Sequence, residues 1–120
     1  MSDTDLVMYR GDDRSFTITV SGIDLTTADL TFTAKRRTRD PDADAVIQLT
    51  SPSGVVVSSP TTCVVAIPSE ATDALTKETL LYWDLQVDVA GVVRTLPDPS
   101  LAGQRLGTLL IRVDVTRTAT

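Results

Sequence analysis

The chain has 120 residues, of which 42% are hydrophobic and only 4% aromatic, with one cysteine, no histidine and a net charge of −5. That length suits one domain able to bury its own core, built chiefly from Val, Leu, Ile and Ala. The acidic balance argues against a counterion-release grip on nucleic acid, and the missing histidine removes the commonest general base and metal ligand.

Short runs that alternate apolar and polar residues dominate the chain, as half-buried antiparallel strands do. After a polar opening at 1–5, Leu6-Val7-Met8-Tyr9 reads as an edge strand closed by Gly11-Asp12-Asp13. In the next strand, 15–20, Phe16, Ile18 and Val20 share one face and Thr17 and Thr19 take the other. Ser21-Gly22 then turns the chain, and 29–36 sets Leu30, Phe32 and Ala34 against Thr31, Thr33 and Lys35. A heavily charged loop leads into 45–50, where Ile47 and Leu49 oppose Val46, Gln48 and Thr50, before a Pro52-Ser53-Gly54 turn. Strands at 55–58 and 63–67 follow. Cys63, beside Val64 and Val65, is read as a buried hydrophobe rather than a reactive thiol.

Residues 68–75 break the alternation. Ser69, the acidic Glu70 and good helix formers after them predict one short helix of about two turns, capping one end of the domain. The clearest strand is 81–89, with Leu81, Trp83, Leu85, Val87 and Val89 pointing one way and Tyr82, Asp84, Gln86 and Asp88 the other, so the sole tryptophan belongs in the core. Ala90-Gly91 turns into 92–96 to make a hairpin, which Pro97-Asp98-Pro99 ends. The last strand, 106–115, sets Leu109, Ile111, Val113 and Val115 against Leu110, Arg112 and Asp114. The pattern predicts one all-β domain over 1–120, an immunoglobulin-like antiparallel β-sandwich of seven or eight strands with one short helix.

Candidate chemistry is sparse. Asp40-Pro41-Asp42-Ala43-Asp44 opens like a calcium loop, but Ala45 stands where such a loop needs glycine and Ser51 where it needs a bidentate glutamate. Asp40 is better read as the cap of a helical turn beginning at Pro41. Asp84 and Asp88 share a strand face at a spacing of about 13 Å, beyond the roughly 5 to 9.5 Å of glycosidase carboxylates. Serines and threonines lack an evident activating base, with only Lys35 and Lys77 as lysine partners. Arg10-Gly11-Asp12 spells an adhesion tripeptide, yet a glycine beside an aspartate is also what a tight turn demands. Arg36, Arg37 and Arg39 form a basic run just before the acidic loop, and adjoining charges of both signs can register neighbouring subunits.

Tyr9-Arg10-Gly11-Asp12-Asp13, followed by Phe16-Thr17-Ile18-Thr19-Val20, resembles a recurrent class of small tailed-phage proteins related to the N-terminal domain of baseplate upper proteins. Three further stretches carry the likeness. They are Leu25-Thr26 with the strand Leu30 to Arg36, then Thr38 to Ile47, and lastly Leu81-Tyr82-Trp83-Asp84-Leu85-Gln86-Val87. The chain departs from the class at Glu78-Thr79-Leu80, where related chains often have Gly-Thr-Tyr, and in an elongated stretch at 97–104.

The resemblance implies a non-enzymatic structural component of a tailed-bacteriophage virion, present in many copies at the tail, baseplate or neck and docking other virion proteins or fibres. From the residues themselves no cofactor, metal, nucleic acid, membrane or small-molecule substrate is expected. With no charged-then-apolar leader and no membrane-length apolar run, synthesis in the bacterial host cytoplasm is expected. Interface candidates are Leu6, Tyr9, Arg10, Asp12, Arg36, Arg37, Arg39, Thr116 and Arg117, and neighbouring subunits are expected to order the polar tails 1–5 and 116–120. A capsid decoration or cement protein is the nearest alternative. A carbohydrate- or host-surface-binding module ranks lower, because Trp83 lies on the apolar phase.

Overall fold

The structure, a computed structural model, describes residues 5–20, 24–37, 39–51, 53–96 and 107–113. Nine strands lie among them: β1 (Asp5–Tyr9), β2 (Arg14–Thr19), β3 (Asp29–Lys35), β4 (Ile47–Thr50), β5 (Val55–Ser59), β6 (Thr62–Ile67), β7 (Thr79–Val89), β8 (Val92–Leu96) and β9 (Gly107–Arg112). The larger sheet runs β1-β9-β7-β3-β4, with β8 also paired to β7, and the smaller runs β2-β6-β5. Two sheets closing over one core make an all-β sandwich, the expected fold class.

The nine strands exceed the seven or eight expected, and two further details depart from the sequence expectation. The first is that β1 pairs with β9 in parallel, Leu6 facing Leu109 and Met8 facing Ile111. The second concerns one edge of β7, which carries two strands in tandem: Leu96 of β8 faces Leu85, and Gly107 of β9 faces Trp83.

Alternation sets the core as expected. From the larger sheet Leu30, Phe32, Ala34, Leu81, Trp83, Leu85 and Val87 are buried, and from the smaller Val55, Cys63, Val65 and Ile67. Phe32 and Trp83 stack with ring centroids 5.5 Å apart, inclined at 28°. Gly107 makes this packing possible, because a Cβ on it would sit 2.5 Å from a Trp83 ring carbon. The indole N–H completes the join by donating to the Thr108 carbonyl at 3.2 Å.

The helix expected over 68–75 is a single 3-10 turn, Ser69–Ala71. A helix so short cannot repay its nucleation cost, and the segment bonds elsewhere. The Ser69 amide donates to Asp13 Oδ1 at 2.8 Å, Thr72 Oγ1 accepts from the Gly11 amide at 2.8 Å, and the Leu75 carbonyl accepts from the Arg10 guanidinium. A second 3-10 turn, Asp42–Asp44, does follow Pro41. Asp40, however, turns its carboxylate back to the Arg37 amide, 3.3 Å away, and so closes the preceding turn instead of capping this one. The last strand ends at Arg112, earlier than expected; Val113 is exposed, and 114–115 lie outside the described residues.

Candidate functional site

The Arg10-Gly11-Asp12 tripeptide is a structural tie. Gly11 has φ of 76°, a conformation glycine adopts without a Cβ clash, and the three bonds to residues 69–75 bolt this turn across one rim of the sandwich. Arg10 is accordingly half-buried, while Asp12 is exposed beside it. Of the other expected interface residues, Leu6 packs half-buried against the core, and Tyr9 stands 47% exposed on the outer face of the larger sheet. Arg36, Arg37 and Arg39 are all exposed at the end of β3, with Arg37 Nε 3.8 Å from Asp40 Oδ1. Thr116 and Arg117, together with the tails 1–4 and 116–120, lie outside the described residues.

Among the described residues no three His, Cys, Asp or Glu side chains come together as a metal site would require. Asp84 and Asp88 both lie on the outer face of β7; Asp88 Oδ1 accepts from the Gly91 amide at 2.9 Å, which ties it to the hairpin turn. Burial pushes the Cys63 thiol up to about 11, so it stays protonated and unreactive at neutral pH. Asp24 is held below its usual range by the Thr26 hydroxyl and then by the Thr26 amide, the latter 2.9 Å away, in a local turn. A groove of about 370 Å³ opens beside β5, lined by Thr26, Ala28, Ser51, Val55, Val56 and Val57, with Asp29 its only titratable group among the described residues. It offers no pair of groups for acid–base work.

What the structure adds is an exposed apolar row. Val7, Leu110 and Leu80 lie side by side across β1, β9 and β7, on the outer face that also carries Tyr9, Thr31, Thr33, Lys35, Gln48, Tyr82, Asp84, Gln86 and Asp88. Val7 and Leu80 are 48% and 46% exposed. The signal for it was present in the sequence, since all three fall on the phase of the alternation that should be wet.

Compared with known proteins, the chain matches no family model and no curated protein.

Proposed function

We propose that the chain is a non-enzymatic structural subunit of a tailed-bacteriophage virion, docking other virion proteins or fibres at the tail, baseplate or neck. The observation that carries this reading is the run of four motifs, from Tyr9-Arg10-Gly11-Asp12-Asp13 to Leu81 through Val87, which occur in order along a single domain. Their physical roles support it. The first motif ties one rim of the sandwich, and the last supplies the central strand, so each serves a scaffold rather than a reaction centre. Exposed Val7 and Leu80, on either side of a half-buried Leu110, suit protein contacts.

Cryo-electron microscopy of purified particles tests the proposal. Density for this sandwich at the tail, baseplate or neck is the expected result. Density on the shell would instead favour the decoration reading, and absence of the chain from intact virions would overturn both.

A further inference from the structure

We propose that the free edge of β2 docks a second copy of this chain, β2 pairing antiparallel with its own counterpart about a two-fold axis at Thr17. This proposal stands apart from the virion reading. The smaller sheet ends at β2, and no described residue bonds the far edge of that strand. The register fixes which backbone groups face it. Val20 N–H donates to the Thr61 carbonyl at 2.7 Å, so by the alternation of an antiparallel ladder the groups of Arg14, Phe16 and Ile18 also face β6. Those of Ser15, Thr17 and Thr19 point outward.

Phe16 and Ile18 pack against the core yet are only half-buried, whereas Val65 and Cys63, which face them on β6, are fully buried. What the two lack is a strand on their far side. Native edges are blunted by proline, a bulge or an inward charge. β2 has no proline and no shift in its register with β6, and its one charge, Arg14, stands at its end, 5.3 Å from the centre of the Phe16 ring. The other free edges are less open. β5 bulges between Val57 and Ser59, β4 has four residues, and the inward Met8 of β1 is already buried. On β8 the outward groups are those of Val93 and Thr95, so pairing both with a second copy would set Arg94 against Arg94.

β2, by contrast, matches itself. Centred on Thr17, a second β2 puts Arg14 opposite Val20, Ser15 opposite Thr19, Phe16 opposite Ile18 and Thr17 opposite Thr17. Every outward N–H and C=O of Ser15, Thr17 and Thr19 then meets its complement, and no like charges face each other. The outward side chains are small hydroxyls, and each Phe16 gains a β-branched Ile18 across the axis, a favourable cross-strand pair. Centring on Phe16 or Ile18 instead would leave Thr19 or Ser15 without a partner inside the strand. This self-match selects a second copy over a foreign strand. The three-stranded sheets of the two copies join into one, and because the same edge serves on both, the contact closes as a two-fold dimer.

Sedimentation equilibrium of the full chain tests the edge, and a monomer–dimer equilibrium is expected. Thr17→Pro removes an outward N–H on each side of the axis while sparing the bonds to β6, and it weakens dimerisation at least about tenfold. Thr17→Lys and Thr17→Glu serve should the proline variant misfold by circular dichroism. Each alone sets like charges across the axis and weakens association roughly threefold, and mixing the two restores it, because only the mixed pair sets opposite charges there. Hydrogen exchange reads the edge directly: the amides of Ser15, Thr17 and Thr19 slow as concentration rises. A chain monomeric at every concentration, a folded Thr17→Pro variant that dimerises like the parent, or Lys and Glu variants that do not rescue each other would overturn the proposal. A monomer found in virions sinks this edge alone; a dimer missing from virions sinks only the virion reading.

Discussion

One edge of β7 carries two strands with opposite fates. Both β8 and β9 run antiparallel to it, yet Leu109 and Ile111 of β9 are fully buried whereas Val92, Val93, Arg94 and Thr95 of β8 are all exposed. Hydrogen-bonded pairing therefore does not decide burial. What decides it is whether the inward side chains reach the core: Val92 and Arg94 of β8 do not, and only Leu96 at its end packs against it half-buried. Stability should consequently be concentrated in the β9 half, with the β8 hairpin opening independently.

Four substitutions probe that contrast. Leu109→Ala should cost about 2–5 kcal/mol, seen as a lower denaturation midpoint, because it opens a hole in a closed core. Gly107→Ala should cost about 1–3 kcal/mol and shift the tryptophan emission, since the new methyl meets a buried indole that has nowhere to go. In the β8 half, Ala90 sits at φ of 53°, so Ala90→Gly should raise stability by up to about 1 kcal/mol. Val92→Thr should change it by no more than about 0.5 kcal/mol. A loss for Val92→Thr as large as that for Leu109→Ala would erase the distinction. Hydrogen exchange sharpens it: amides of β9 should exchange only with global unfolding, those of β8 much sooner.

The faces of the strands were legible in the sequence. Phe32, Trp83, Leu85 and Ile111 are buried where the alternation puts them, because a period of two specifies which side of a sheet is dry. Which strands become neighbours is not written in that period, and so the parallel β1–β9 pairing and the tandem sharing of β7 were hidden. The segment 68–75 misled for a different reason. Its composition opens a helix, but its bonding partners, Arg10, Gly11 and Asp13, lie some sixty residues away in the chain. The same distance hid the role of Arg10, whose turn was foreseen and whose hold on Leu75 was not. Gly107 gave no local hint, since its need comes from the ring of Trp83.

The parallel pairing of β1 with β9 also bears on how the molecule carries load. The chain enters this pair at Asp5, beside Thr108, and leaves it past Arg112, beside Tyr9, at the opposite end of the ladder. Tension between those two points slides the strands lengthwise, so the rungs of the ladder share the strain and must yield together, instead of peeling one after another from a corner. Pulled this way in a single-molecule force experiment, the domain should rupture at far higher force than when pulled across the β7–β8 hairpin, which can unzip from its end.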